Sequence, residues 1–210
     1  MVKTQDKEEL ILKTAMDVFI EKGRYGAKMQ EIADRAGINK ALLHYYFRSK
    51  ERLYARIFEN IFRKNLNDLM TAFRDDLPFN DSLRSFIFGY IDLINRNPKV
   101  PLFLLKELSE GGKTVKTILA NLQESKKIDL SPIVRKIEKA VQDGDIIQLD
   151  PRQLIATVIG AALFYFIGEP IFKALYIDEA NFDRESFIEE RKKAVYQTIL
   201  YGILPRGEQR

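Results

Sequence analysis

Hydrophobic residues recur at helical spacing along most of the chain. Between residues 6 and 22, Ile11, Ala15, Val18 and Phe19 follow one another at steps of four, three and one, which forms the apolar face of an amphipathic helix. Comparable patterns continue to the last apolar residues, and alternating strand patterns are absent from the sequence. The sequence therefore predicts an all-α fold of about nine helices.

Residues 28–47 contain two short helical patterns. Ile32 and Ala33 share the apolar face of the first pattern, and Leu43 and Phe47 share that of the second. Packing these two faces against each other would leave the opposite side of the second helix exposed to solvent. The pattern therefore predicts a pair of short helices with one displayed surface.

The connection between these two helices has the residues that a tight turn needs. Gly37 lies where a helix C-terminus favours a left-handed residue, and Asn39 can cap the following helix. Two helices joined by a short turn that contains glycine form a helix-turn-helix motif, whose second helix fits the DNA major groove. The alternative is an ordinary helical hairpin in an α-helical protein that does not bind DNA.

The motif resembles the signature of the tetracycline-repressor (TetR) family. Within IADRAGINKALLHYYFRSKERLY the matching residues are Ile32, Ala33, Ala36, Gly37, Leu43, Tyr46, Phe47, Lys50 and Leu53. The resemblance implies a DNA-binding transcriptional regulator with a three-helix head. It also implies the division 1–50 for the DNA-binding head, 51–77 for a connecting helix, and 78–210 for a helical domain that dimerises and binds a ligand.

The candidate DNA contacts lie on the motif and on the helix starts beside it. They are Lys28, Gln30, Asn39, Lys40, Ala41, Leu42, His44, Tyr45, Tyr46 and Lys50. The resemblance implies that Lys50 binds a phosphate, and Lys28 replaces the usual Ser or Thr with a side chain that can pair with one. Leu42 can pack on a thymine methyl group, whereas Gln30 and His44 are either DNA contacts or solvated surface residues.

Charge and composition narrow the possible functions. Residues 1–64 hold 14 Lys and Arg against 9 Asp and Glu, a net charge of +5, while residues 65–210 have a net charge of −1. The surplus lies in the part that would neutralise phosphates. The chain has no cysteine and one histidine, so we expect no metal and no cofactor. An α-helical enzyme is the second class considered, but no catalytic motif supports it, and we expect a non-enzyme.

The last two long helical patterns, 152–177 and 184–204, predict the oligomeric state. Residues 153–168 contain no charged side chain, but a membrane span needs about 20 apolar residues, so we expect no membrane association. The resemblance implies that these two helices pair with their copies as a four-helix bundle, which would place two heads on two operator half-sites. The alternative is that their apolar surface is all internal core. The candidate interface residues are Phe187, Arg191, Val195, Thr198 and Gly202.

The resemblance also implies a small-molecule pocket among the middle helices, whose occupancy lowers DNA affinity. The candidate lining residues are Phe86, Tyr90, Phe103, Phe164 and Tyr165, and each is alternatively plain core. An aromatic lining favours a hydrophobic or flat effector. A DNA-binding regulator without a small-molecule effector, such as an activator or an architectural protein, is the other reading of the sequence. The N-terminal residues are not typical of a signal peptide, so we expect a cytoplasmic protein.

Overall fold

A computed structural model describes residues 2–73, 76–125, 129–176 and 182–205, apart from the side chains of 2–6, 64–68 and 176. Within these residues all regular structure is helical, which confirms the predicted all-α class. The described part contains ten α-helices, against about nine expected. They are α1 (Val2–Gly26), α2 (Met29–Arg35), α3 (Lys40–Phe47), α4 (Lys50–Met70), α5 (Phe79–Arg96), α6 (Lys99–Ser109), α7 (Lys113–Glu124), α8 (Ser131–Gln142), α9 (Pro151–Tyr176) and α10 (Arg184–Ile203), with a 3-10 turn at Thr71–Phe73.

Proline and glycine set several helix boundaries. α5 begins directly after Pro78, whose carbonyl accepts a hydrogen bond from the Ser82 amide at 3.0 Å. α9 begins at Pro151, and the Asp150 carboxylate accepts from the Arg152 amide at 2.8 Å. Proline suits these positions because the first residues of a helix need no amide donor. Inside α1, Gly23 has a φ of 72°, so the helix is kinked there.

The chain folds into two compact units. The first unit comprises Met1–Lys64 and Leu102–Lys127, and the second comprises Asn65–Pro101 and Ile128–Arg210. The first unit is therefore not one continuous stretch of sequence. The division of functions among residues 1–50, 51–77 and 78–210 stays a prediction.

Aromatic side chains from three helices fill the centre of the first unit. Phe103 of α6 stacks on Phe58 of α4 with ring centroids 4.5 Å apart. Its ring also lies 5.1 Å from Tyr54 of α4 and 6.4 Å from Phe19 of α1. All four residues are buried. Such pairs contribute about 0.5–1.5 kcal/mol each beyond their buried area, so α6 is joined firmly to α1 and α4.

A buried carboxylate fixes the corner between α6 and α7. Glu107 is 2% exposed, and its Oε1 accepts a hydrogen bond from the Thr114 amide at 2.6 Å. The Tyr54 hydroxyl is a second partner. Burial, and then the charge of Glu107, raise the pKa of the Tyr54 phenol above its ordinary value, so that hydroxyl remains a donor. The carboxylate is thereby satisfied inside the first unit, as a buried charge requires.

The second unit buries one face of each of its long helices in a single hydrophobic core. Ile87 and Ile91 of α5 and Ala162 of α9 are fully buried there, and Ile188 of α10 packs in the same core. Lys192 of α10 is buried as well, where it forms ion pairs with Asp92 and Glu189 at 2.5 Å each.

The longest helix of the second unit is apolar enough to resemble a membrane span. Among the described residues one helix, Pro151–Leu175, is long and apolar enough to cross a membrane by length and composition alone, and 33% of its most apolar stretch is buried in the structure. Core helices of soluble proteins can have the same length and composition. Here Leu154, Val158 and Tyr165 line the inner side of α9 and pack into the core, so burial accounts for part of the apolar character.

Candidate nucleic-acid interface

The turn after α2 has the geometry that the glycine predicted. Gly37 has a φ of 66°, and its amide donates to the Asp34 carbonyl at 3.2 Å. The Ile38 amide donates to the Ala33 carbonyl at 3.0 Å. These bonds satisfy the last carbonyls of α2, and a left-handed glycine closes the helix at little conformational cost. The chain is thus redirected into α3 within a few residues.

A side-chain cap defines the start of α3. Asn39 has an extended backbone, with φ −80° and ψ 154°, and its Oδ1 accepts from the Leu42 amide at 2.7 Å. The predicted N-cap is confirmed. The side-chain oxygen of Asn39 is therefore engaged within the protein, and its amide nitrogen is the part left to meet DNA.

The two helices of the motif pack through the faces that the sequence predicts. Ile32 and Ala33 of α2 and Leu43 of α3 have no exposed surface, and Phe47 is 5% exposed. On the opposite side of α3 the side chains are exposed. These are Lys40, Ala41, His44 and Tyr45, while Leu42 and Tyr46 are half-buried. One side of α3 is thus fixed by apolar contacts, and the other is presented to solvent.

Ion pairs link α2 to α1 at the surface. Arg35 lies 2.8 Å from both Glu21 and Glu31, and Lys22 lies 2.7 Å from Glu31. The hydrogen bond from Lys22 is the main cause that lowers the pKa of Glu31. Exposed ion pairs contribute little stability individually, so their main effect is to orient α2 against α1.

The exposed candidate contacts at the start of α2 differ in whether their side chains are already hydrogen-bonded within the protein. The Gln30 amide donates to the Asp34 carboxylate at 2.8 Å, so a contact between Gln30 and a base would replace that bond. Lys28 stands at the N-cap position of α2 with an extended backbone and forms no side-chain cap. Its exposed ammonium is therefore in a position to meet a phosphate.

His44 makes a hydrogen bond that decides which of its nitrogens faces outward. Its Nδ1 lies 3.1 Å from the carbonyl of Arg48, a residue with a φ of 63° at the C-terminus of α3. A carbonyl only accepts, so Nδ1 carries the proton and Nε2 is the free ring nitrogen. Neutral His44 therefore offers an acceptor to its surroundings, which suits an amino group of a base better than a phosphate.

Lys50 has a role that sequence reasoning did not reveal. Its Nζ donates to the carbonyls of Tyr25 and Ala27, both at 3.1 Å. These bonds join the start of α4 to the segment that leads into α2. An ammonium has three hydrogens, so one donor remains for a phosphate. No motif or periodicity points to carbonyl partners 23 and 25 residues away in the sequence.

The residues predicted to line a pocket belong to both units and differ in exposure. Phe86 stacks on Tyr90 with centroids 6.0 Å apart, and Tyr165 is buried in the same core. Phe103 instead belongs to the first unit, where it packs on Phe58, because α6 runs into that unit. Phe164 is 61% exposed, since α9 is apolar on several sides and periodicity alone does not separate its faces.

The predicted interface stripe on α10 also needs one correction. Val195 is 3% exposed and packs in the core of its own chain, so it is not available to a partner. Phe187 and Arg191 are half-buried, and Thr198 and Gly202 are exposed. Of the two helices α9 and α10, α9 carries most of the large exposed apolar side chains. They are Phe164, Ile171 and Leu175, at 61%, 62% and 66% exposure, and the exposed Gly160 belongs to the same helix. We call these four residues the α9 outer stripe.

A three-helix head that buries the inner side of α3 and displays the outer side defines a helix-turn-helix regulator that binds DNA. Residues 11–57 match the family model of the bacterial regulatory proteins of the tetR family. Residues 11–57 are therefore the DNA-binding domain of this family of transcriptional regulators.

Known proteins resemble the chain over most of its length. It is 28% identical over 200 residues to the HTH-type transcriptional regulator RutR of Escherichia coli O157:H7, which covers 95% of this chain and 92% of that one. Over 103 residues it is 32% identical to the HTH-type transcriptional repressor NicS of Pseudomonas putida, 48% of each chain. The fold is similar to that of the fatty acid degradation regulator FadR from Bacillus halodurans, with a TM-score of 0.66, 17% identity, and coverage of 92% and 94%. Since these relatives are regulators, the prediction that the chain is not an enzyme is confirmed.

Proposed function

We propose that the protein is a homodimeric repressor that binds a palindromic operator and is released from it by a small hydrophobic ligand. The observation that carries the proposal is the division of α3 into two faces. Leu43 and Phe47 hold the helix by its inner side, while Lys40 and Tyr45 are exposed on the other. A helix displayed in this way fits a major groove about 12 Å wide.

The exposed chemistry assigns roles to the candidate contacts. Lys40 and Tyr45 are the donors best placed to read base edges, and Ala41 and Leu42 offer apolar contact to thymine methyl groups. The outward acceptor of His44 suits the amino group of a cytosine or adenine. A second set of residues meets the backbone and fixes the register of the head on the duplex without reading sequence. That set is Lys28, Lys50, Tyr46 and the side-chain nitrogen of Asn39, with Gln30 at the edge.

The α9 outer stripe is the basis for the homodimer. At 100° per residue, Phe164, Ile171 and Leu175 lie within about 40° of one another around the helix, so their side chains form one continuous apolar line. Gly160 continues that line, and a Cβ added to it would meet nothing within 4 Å, which leaves room for a close partner. Two copies packed about a two-fold axis would cover the stripe with an identical stripe and pair two heads with two half-sites.

The effector is proposed to bind in the second unit. A ligand that binds better to one spacing of the two heads shifts the dimer toward that spacing, and operator affinity changes by the same coupling factor. The alternative regulator without an effector has one observation in its favour. Phe86 packs against Phe73 and Tyr90, at 5.2 and 6.0 Å, so part of the predicted lining is satisfied by its own chain. A bacterial repressor works where the chromosome is, so we place the protein in the cytoplasm.

Operator selection tests the proposal. Purified protein should enrich a palindrome from random duplexes. The centres of its two half-sites should be separated by about one helical turn of DNA or by a whole number of turns. Fluorescence anisotropy on that duplex should show two protomers per site and an affinity that falls steeply with salt. Enrichment of a single half-site, or no enrichment, would reject the dimeric operator complex.

A further inference from the structure

Three buried side-chain polar groups of the second unit have no hydrogen-bond partner: the Ser82 hydroxyl on α5 and two further groups, one on α9 and one on α10. The Tyr165 hydroxyl is one, on a residue that is 2% exposed, and the Nε of Arg191 is the other. Buried polar atoms in folded proteins are nearly always paired, so each unpaired group calls for an explanation. Two of them on adjacent helices, α9 and α10, point to one missing acceptor.

The contacts around these groups place them in one region of the α9–α10 packing. A terminal nitrogen of Arg191 donates to the Ala161 carbonyl at 2.6 Å, and Ala161 precedes Tyr165 by one helical turn. On α10, Phe187 precedes Arg191 by one turn, and its ring lies 4.8 Å from that of Tyr165. The guanidinium therefore lies along the face of α9 that carries the phenol.

The charge of Arg191 lacks a counterion. Among the described residues no carboxylate pairs with it, and burial lowers the pKa of its guanidinium. The nearby carboxylate of Glu169 is engaged already, at 3.1 Å from Lys173 and 3.4 Å from Arg184. Two cations thus engage the Glu169 carboxylate, and the half-buried Arg191 guanidinium has no carboxylate partner among the described residues.

We propose that Tyr165 and Arg191 form an anchoring site for the carboxylate of a small apolar ligand. The Tyr165 hydroxyl and the Arg191 Nε each donate a hydrogen bond to a carboxylate oxygen. An arginine N–H only donates, and a guanidinium matches a carboxylate in both geometry and charge, which favours an acid over an amide or an alcohol. The rings of Phe187 and Phe172, 4.8 and 5.8 Å from Tyr165, supply the apolar wall for the rest of the molecule.

This inference rests on the proposed function, because it names the chemical class of the effector. It keeps Tyr165 of the predicted lining but replaces the other aromatic lining residues, such as Phe86 and Tyr90, with the charged Arg191. It also gives Arg191 a ligand role in place of the predicted contact with a partner chain. The tests below contain no DNA, so the result for this site does not depend on the operator.

The direct test compares acids with their neutral analogues on the full-length protein. Titration calorimetry and thermal unfolding are run with benzoate and octanoate, and with benzamide and octanamide. We expect at least one acid to bind and to raise the melting temperature with concentration, and its amide to bind about tenfold more weakly or less. No binding of either acid at about 10 mM, or equal binding of acid and amide, would overturn the proposal.

Matched variants separate the site from general charge effects. Arg191→Gln should weaken acid binding by about tenfold or more. Lys193→Gln removes the same charge from an exposed position of the same helix and should leave binding unchanged. Tyr165→Phe removes an unpaired hydroxyl, so it should melt at or above the wild-type temperature without ligand and respond less to the acid. The Tyr165→Phe variant still tests the site if Arg191→Gln does not fold.

Three further outcomes have defined meanings. Unchanged acid binding in both Tyr165→Phe and Arg191→Gln places the acid elsewhere and overturns the site. Loss of the dimer in Arg191→Gln, with no acid bound to wild type, would assign the missing acceptor to a second copy of the chain and also overturn it. Acid binding by a wild type that selects no operator would leave this site standing and reject the proposed repressor.

Discussion

The outer faces of α3 and α9 differ in chemistry although both helices are held by apolar inner faces. α3 buries Leu43 and exposes Lys40, His44 and Tyr45. α9 buries Leu154, Val158 and Tyr165 and exposes its outer stripe. Burial of the inner face explains the fold in both cases and says nothing about the partner. The exposed residues indicate the kind of partner. Hydrogen-bonding side chains match bases and phosphates, whereas an apolar line matches another apolar surface.

The largest expected effect comes from placing charge on the α9 outer stripe. Phe164→Glu with Ile171→Glu should give folded monomers, because both positions are more than 60% exposed within the chain but would be desolvated in a dimer. Operator affinity should fall by about 100-fold or more with the loss of bivalent binding. Sedimentation measures the first result and anisotropy the second.

Arg152→Glu is the control for that experiment. It places a carboxylate on the same helix, at a side chain that is 87% exposed and about 80° or more around the helix from every residue of the stripe. It should remain a dimer. A dimer that survives the double substitution would mean that the stripe serves some other purpose.

A smaller effect, on stability instead of assembly, is expected inside the head. Leu43→Ala should destabilise it by about 2–5 kcal/mol, because the side chain is fully buried between α2 and α3. His44→Ala, one residue along and exposed, should change the free energy of unfolding by about 0.5 kcal/mol or less. Denaturant unfolding of the two variants compares the inner and outer faces directly, and equal losses would show that α3 is not packed as described.

Substitutions on the outer face of α3 should change sequence preference. Lys40→Ala and Tyr45→Ala are each expected to reduce discrimination at defined operator positions by about 1–3 kcal/mol. Both side chains are exposed, so the melting temperature should stay close to that of wild type. An operator selection that returns an unchanged motif from both variants would remove them from base readout.

The smallest effect is expected from Lys50→Ala. Loss of its bonds to the carbonyls of Tyr25 and Ala27 should cost about 1 kcal/mol of stability. If its third hydrogen meets a phosphate, the slope of affinity against salt should also become shallower by about one. Lys50→Arg is the matched control for charge. A stability loss without a change in slope would confine Lys50 to its structural bonds.

The motif could be predicted from sequence because its signals are local. Gly37, Asn39 and the spacing of Ile32, Leu43 and Phe47 each report on neighbours within a few residues, and all of them occupy the expected conformation. Local signals of this kind are read reliably because helix periodicity and capping act over one or two turns.

The second unit was less predictable because its long helix α9 has little difference in polarity between its faces. Residues 153–168 have apolar side chains on nearly every side, so periodicity could not tell that Tyr165 is buried and Phe164 exposed. Val195 lies on the predicted interface stripe of α10 but packs into the core of its own chain, while Thr198 and Gly202 of that stripe are exposed. The carbonyl partners of Lys50 and the place of Phe103 depend on contacts distant in sequence, which a pattern within one helix does not report.

The discontinuous make-up of the first unit limits how this protein can be cut and recombined. Residues 1–64 alone would leave Phe19, Tyr54 and Phe58 without the ring of Phe103, and Tyr54 without the carboxylate of Glu107. A chimaera that borrows this reading head for another sensor should therefore carry residues 102–127 along with it. A sensor swap made at a single junction after α4 would transplant a head whose aromatic core lacks its contacts with α6.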